Sequence, residues 1–493
     1  MRAVIPTGDL ATRTARSGVW LSVTNISQRV LELVALLVLA RLLSPAAFGL
    51  IGVALLILTG LERFSQLGFT SALIQNREDD VDRYLDTAWT LQIARGFLLA
   101  AILFVVAGPA STFFGAPEVE SIVQVIAVVP ILQGLENPGV VYFQKDLEFH
   151  RQFVHLSSTT LVYVAVTITL AFAWGNVWAL VVGRVLAEIS NLVVSFLVHD
   201  YRPSPAFDRE AAGEMFGFGK WIFASGIVYF LADEGDDFVV GWLLGTVSLG
   251  FYRLSYRLAL TPATEVTGVI GTVMFPAYSK LQDDVAAVRE AYFRTLQLVT
   301  AFTFPAGVGI LVVAPPFVEA VLGPQWIPMI PALQVLAVYG LFLSMAGSFG
   351  PVWLAMGRPD FAAKIGAVRV VVMAVLIVPA TVEYGLLGTG AAVVAAFGLG
   401  ALPLDLFMSR KLLNMRLRRF FREVSYPIVA AGVMGAAVLA VRETVVVDSP
   451  LVELVGLIAL GGVVYLLVAL ALARFAGWGI ERNLREVGSA LGG

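Results

Sequence analysis

Residues 34–60 read VALLVLARLLSPAAFGLIGVALLILTG. The run before Ser44-Pro45 reaches back to Val19, and a second apolar run follows it directly. A bilayer core needs ~20 largely apolar residues for each helical crossing. The stretch therefore reads as two membrane-spanning helices joined by a tight turn. Being long and followed at once by another, the first run should stay in the mature protein and is not a cleavable leader.

The same pattern continues outward. Of 493 residues, 58% are hydrophobic and 14% charged, where a soluble domain is about a quarter charged. The apolar runs place spans at 18–43, 46–74, 84–107, 119–143, 153–174, 176–198, 217–244, 247–275, 292–314, 325–356, 361–381, 385–408, 424–441 and 451–473. The expected fold is an all-α polytopic membrane protein of about 14 transmembrane helices. Gly347, Gly350 and Pro351 predict a kink in the long tenth span. A net charge of −3 gives no reason to expect a nucleic-acid partner. The absence of cysteine excludes disulfides, thiolate metal sites and cysteine nucleophiles. Three histidines leave little for a zinc site, and His150 and His155 read as interfacial residues. No metal and no cofactor is expected.

Basic residues orient the chain. Taking the N-terminal tail as cytoplasmic, 24 of the 33 lysines and arginines fall in cytoplasmic segments, and two, Arg41 and Arg442, in outer ones. Insertion retains positive residues on the cytoplasmic side. The reading is a multi-pass inner-membrane protein with both termini cytoplasmic and every connection short. Work done by such a chain is done within the membrane.

A shift of 201 residues overlays the first hairpin on the seventh and eighth spans. Gly18 meets Gly219, Trp20 meets Trp221, Leu42-Leu43 meets Leu243-Leu244, Gly49 meets Gly250, and Glu32 falls on Asp233. Both copies start from the cytoplasm, so the repeat is parallel. The implied organisation is an N-lobe at 1–214 (spans 1–6), a C-lobe at 215–409 (spans 7–12), and a basic linker with spans 13–14 at 410–493. Two such lobes suit alternating access. The basic segment Arg410–Arg422 reads either as a surface helix on anionic lipid headgroups or as an ordinary positive-inside loop.

Charges at bilayer depth are costly and are usually paired or wetted. Span 1 carries Asn25, Gln28, Arg29 and Glu32 on one helical face; span 2 carries Glu62 and Arg63. Span 7 carries Asp233, Glu234, Asp236 and Asp237; span 8 carries Arg253, Arg257 and Glu265. Across a hairpin turning near residue 245, Asp237 lies level with Arg253 and Asp233 with Arg257. Across the turn near 45, Arg29 lies level with Glu62. Closed salt bridges would explain any single pair, but four acids on span 7 outnumber two arginines on span 8. Arginines in a wet cavity suit a phosphorylated substrate; surplus acids suit proton or sodium coupling. Further candidates are Gln92, Arg95, Glu136, Asn137, and Arg184 with Glu188, which are four apart and expected to pair. Arg95 either lines the cavity or reaches toward the cytoplasmic surface. Arg369 is expected to snorkel, and Trp89, Trp178, Trp242 and Trp326 to form an interfacial belt.

Ala40-Arg41-Leu42-Leu43-Ser44-Pro45-Ala46-Ala47-Phe48-Gly49-Leu50 and Gly68-Phe69-Thr70-Ser71-Ala72-Leu73-Ile74-Gln75 resemble the first hairpin of polysaccharide exporters. Phe275-Pro276-Ala277-Tyr278-Ser279-Lys280-Leu281-Gln282, Ala314-Pro315-Pro316-Phe317-Val318 and Gly323-Pro324-Gln325-Trp326 extend the likeness. It is to the polysaccharide transporter (Wzx-like) branch of the MOP flippase superfamily and covers most of residues 15–410. The resemblance implies the MOP flippase fold. It also implies a flippase moving undecaprenyl-pyrophosphate-linked oligosaccharide to the outer leaflet for O-antigen, capsule or exopolysaccharide. Arg29, Arg63, Arg253 and Arg257, with Arg95, are then the residues to meet pyrophosphate. Glu32, Glu62, Asp233, Glu234, Asp236, Asp237 and Glu265 are left for coupling or charge pairing. The expected partners are the lipid-linked oligosaccharide and membrane lipids, with a monomer working beside polysaccharide polymerase machinery. A cation-coupled multidrug antiporter and a lipid II flippase are the rival readings within the superfamily. A polymerase or ligase enzyme fits less well, because there is no large outer loop and no outer histidine.

Overall fold

The computed structural model describes residues 27–65, 82–145, 149–445 and 447–480, with the backbone alone at 82–84, 144–145, 149, 210–212 and 214–225. Asn25, Gly18, Trp20, the motif Gly68–Gln75, Arg77 and the basic residues of both tails beyond these bounds lie outside the described residues. No strand occurs among the described residues. The reason is the solvent: lipid offers backbone N–H and C=O groups no partners, so each segment must satisfy its own.

The elements are α1 (27–42), α2 (Pro45–Phe64), α3 (Asp82–Phe113), α4 (Glu118–Ile126), α5 (Val128–Leu135), α6 (Phe149–Trp174), α7 (Trp178–Val198), α8 (Arg209–Leu281), α9 (Val285–Phe317), α10 (Ile330–Gly347), α11 (Asp360–Ala395), α12 (Leu402–Leu413), α13 (Leu417–Thr444) and α14 (Pro450–Phe475). Among the described residues, eleven stretches are long and apolar enough to cross a membrane. Two are far longer than one crossing requires, 56 and 54 residues, and each doubles back at one glycine. In α8 the break is Gly245, at φ 81 and ψ 176. Tyr252 Oη then hydrogen-bonds Asp236 at 2.7 Å, although sixteen residues of straight helix would separate them by ~24 Å. In α11 the break is Gly385, at φ 60, and Thr381 and Thr389 meet hydroxyl to hydroxyl at 2.8 Å. Positive φ is open to glycine without steric cost.

The chain divides into two compact units, residues 1–230 with 245–250, and residues 231–244 with 251–493. In the first, Ser44 caps α2, its hydroxyl accepting from Ala47 N, and Pro45 opens the helix. Small residues set the approach of neighbouring helices. A Cβ on Gly96 would overlap the Pro130 carbonyl, and one on Gly183 the Thr167 hydroxyl. Gly49 and Gly250, equivalent by the 201-residue repeat, face each other. A Cβ on Gly49 would overlap the Thr246 carbonyl, and one on Gly250 the Pro45 carbonyl. The connection after α7 is strapped to α3, because Asp86 accepts from the Tyr201 hydroxyl at 2.7 Å and from Ser204 N and Oγ at 2.9 and 2.7 Å.

In the second unit, α10 ends at Gly347 and a short helix, Gly350–Ala355, resumes, so the chain breaks at the glycines and proline expected to kink it. Helices α13 and α14 pack on α9 through Val312, Val438 and Leu457, and Tyr465 Oη donates to the Ala301 carbonyl at 2.7 Å. Segment Arg410–Arg422 is neither a separate surface helix nor a loose loop. Arg410 and Lys411 close α12, Asn414 turns the chain at φ 48, and the remaining arginines open α13. Trp326 is also not interfacial: it is fully buried, edge-on to Phe251 at 5.8 Å.

Valine at Gly49 or Gly250 drives a side chain into backbone, overpacking that costs about 1–3 kcal/mol. The melting temperature of the detergent-purified variants should fall by several degrees. Gly432→Ala, at a position with no heavy atom within 4 Å, should not lower it. An unshifted G250V melting curve would contradict the close approach.

Candidate functional site

In the second unit the hairpin at Gly245 brings the acidic run of α8 beside its own second arm. Asp236 is buried and accepts from the buried Tyr252 hydroxyl at 2.7 Å. Arg253 meets Asp237 at 3.3 Å through Nε and Glu234 at 3.8 Å through Nη2. Its side chain stays 27% exposed, so one guanidinium is held by two carboxylates and still reachable. Level depth therefore became contact for Asp237 and Arg253.

Asp233 is met by another helix. Arg369 of α11 approaches it at 4.0 Å. This arginine does not snorkel. Its side chain is 13% exposed, Nη2 donates to the Ala232 carbonyl at 2.8 Å, and the guanidinium lies over the Tyr339 and Phe397 rings at 5.6 and 5.7 Å. Tyr256 and Tyr339 extend the aromatic layer, with rings 6.2 Å apart. Rings facing a cation attract it through their quadrupoles. The arginine thus clips α11 onto α8 beside the acidic run. Arg257 and Glu265 lie one and three turns further along the same arm, with Arg257 exposed.

The first unit carries its own charged centre. Arg95 of α3 donates to Ser65 Oγ at 2.9 Å and to the Glu62 carbonyl at 3.1 Å. Arg184 pairs with Glu188 at 2.7 Å, the expected i, i+4 bridge. Glu188 also accepts from Gln133 at 3.5 Å. Arg29 pairs within its own helix, to Glu32 at 3.6 Å. His155 is 5% exposed and lies 3.0 Å from Glu136, which corrects its reading as an interfacial residue. Arg63 is half-buried, its carbonyl facing Gly226. Five helices contribute to this centre: α2, α3, α5, α6 and α7. The contributing residues were visible as intramembrane polar groups; which helices meet was not.

Among the described residues, no three His, Cys, Asp or Glu side chains converge as metal ligands. The arrangement offers guanidinium groups, buried carboxylates and phenol hydroxyls, the means to bind an anion and exchange its partners. Arg369→Ala removes a charge-assisted hydrogen bond and the filling between two rings. It should destabilise the protein by roughly 2–3 kcal/mol, read as a lowered melting temperature, and Arg369→Lys should restore only part, because an ammonium lacks the planar fork.

The chain has clear relatives. A family model described as polysaccharide biosynthesis protein matches residues 38–331. The lipopolysaccharide biosynthesis protein WzxC of Escherichia coli (strain K12) is 27% identical over 367 residues, 73% of this chain and 74% of that protein. The teichuronic acid biosynthesis protein TuaB of Bacillus subtilis (strain 168) is 26% identical over 372 residues, 75% and 76% of the two chains. The backbone is similar to that of the lipid II flippase MurJ in an inward closed conformation, with a TM-score of 0.74, 15% identity, and coverage of 92% of this chain and 98% of that one. Sharing the fold of MurJ and matched over more than half its length, the chain belongs to the polysaccharide biosynthesis protein family.

Proposed function

We propose that this protein is a flippase that moves an undecaprenyl-pyrophosphate-linked oligosaccharide from the cytoplasmic to the outer leaflet by alternating access. The glycan is then exported as surface polysaccharide. The observation that carries the reading is Arg253, a partly exposed guanidinium on a membrane helix, paired with Asp237 and Glu234 at 3.3 and 3.8 Å. Those are long distances for a charge-assisted pair. A pyrophosphate matches the guanidinium fork better than two separate carboxylates, so substrate entry exchanges one anion for another. The displaced acids, with Asp236 and Asp233 beside them, are the groups proposed to couple proton or sodium movement to the cycle. Similarity to WzxC and TuaB, both named for polysaccharide biosynthesis, and to a lipid flippase fold supports a lipid-linked glycan over a drug.

The same reading places the protein in the inner membrane with fourteen crossings and both termini cytoplasmic. It acts as a transporter and not as an enzyme, as a monomer beside the polymerase machinery.

Arg253→Ala and Arg257→Ala, each inserted at the wild-type level, should lower glycan export at least roughly tenfold, since each removes a charged hydrogen-bond donor set of about 1.5–3 kcal/mol. Lipid-linked oligosaccharide should accumulate in the inner leaflet. Wild-type export by both variants, measured as surface polysaccharide per cell, would overturn the arginine–pyrophosphate contact.

A further inference from the structure

Residues 410–422 contain six basic side chains and no acidic one. The turn that carries them is pinned. The Asn414 and Met415 N–H groups both donate to the Arg410 carbonyl. Arg289 of α9 reaches the Leu413 and Asn414 carbonyls, each at 3.3 Å. Leu413, Met415 and Phe420 are buried beneath it. Two of the six cations are neutralised: Arg419 by Glu290 at 2.8 Å, and Arg422 by Glu423 at 2.9 Å.

The other four, Arg410, Lys411, Arg416 and Arg418, are exposed and have no carboxylate within salt-bridge range among the described residues. They sit where α13 begins without a side-chain cap and without an acid in its first turn. A helix N-terminus is itself positive, so cations gathered there repel both one another and the helix end. No packing demands them, because their side chains lie outside the core. An anion spanning them would relieve the repulsion.

About one turn into the helices on either side lie Phe407 and Phe421, 53% and 59% exposed. The Lys411 ammonium rests 4.5 Å over the Phe407 ring, joining the two layers. Cations at one level with aromatic rings one turn deeper match the boundary between lipid phosphates and acyl chains. A free phosphate would answer the cations and leave the rings unexplained.

We infer that this turn is a binding site for the headgroup of an anionic phospholipid of the leaflet it faces. Its cations hold the phosphate, and Phe407 and Phe421 lie along the acyl chains. The inference does not depend on the flippase reading. The full-length protein, purified in detergent, is titrated with phosphatidylglycerol or phosphatidylcholine, and retained lipid is counted by native mass spectrometry. Phosphatidylglycerol should bind at least roughly tenfold more tightly than phosphatidylcholine. The quadruple variant R410Q/K411Q/R416Q/R418Q should lose that preference, while R410K/R416K/R418K, which keeps every charge, should retain it. F407A/F421A should weaken phosphatidylglycerol severalfold without changing its preference over phosphatidylcholine. Equal retention by the quadruple variant and the wild type overturns the site. So does loss of preference in the charge-keeping variant, which would mark a structural defect. Full displacement by inorganic phosphate, with F407A/F421A unchanged, would reduce the site to a simple anion site and overturn the lipid assignment.

Discussion

Helices in lipid gain little by hiding apolar side chains from their surroundings, since the surroundings are equally apolar. What holds them together is how closely their backbones can approach. Gly96, Gly134, Gly183 and Gly226 each sit against the backbone or a short side chain of a neighbour, where a methyl group would collide. Gly49 and Gly250 do so against each other. Close approach of this kind also brings polar side chains of different helices within reach, as with Arg95 of α3 and Ser65 at the end of α2.

The charges follow from that packing. An isolated ion in hydrocarbon costs several kcal/mol, and in both units most of the acids described above have donors close by, whereas the buried Asp405 of α12 keeps an unpartnered Oδ2. In the first unit Arg95 donates to Ser65 and the Glu62 carbonyl, Arg184 pairs with Glu188, and His155 meets Glu136, a set divided among five helices. In the second, the acidic run is held largely by its own hairpin, with Arg369 brought in from α11. The first arrangement is a woven core that resists rearrangement. The second leaves Arg253 at long distances from its acids and partly open, which is the condition for exchanging partners.

Much of this was legible from the chain alone. Hairpins were readable because apolar length fixes where a helix must turn. Contacts between nearby residues then followed from helix geometry, as with Arg184 and Glu188, or Asp237 and Arg253 across the turn at Gly245. Depth also has a limit: it says which residues are level but not which way round the helix they point. Arg369 was level with the acids of another helix and was read as reaching for the surface. His155 and Trp326, read as lying near span ends, are buried in the protein. Arg95 reaches the end of α2 at Ser65 and the Glu62 carbonyl, a contact that depth alone does not predict. The helix boundaries within Arg410–Arg422 were not legible, because charge density alone does not reveal that Leu413, Met415 and Phe420 anchor the turn between α12 and α13.

The reversals at Gly245 and Gly385 bear on how the protein is made. Each joins two apolar arms through one residue, with no loop between them. During synthesis the first arm of such a pair cannot settle across the bilayer and wait while a connecting segment is threaded through. The second arm emerges immediately behind it, so entry as a paired hairpin would cost less than entry one arm at a time. Asp236 and Tyr252, or Thr381 and Thr389, can then find each other before either group has faced lipid alone. The polar contacts of the finished transporter would thus serve first as passengers' escorts, making tolerable the entry of helices that no bilayer would readily accept one at a time.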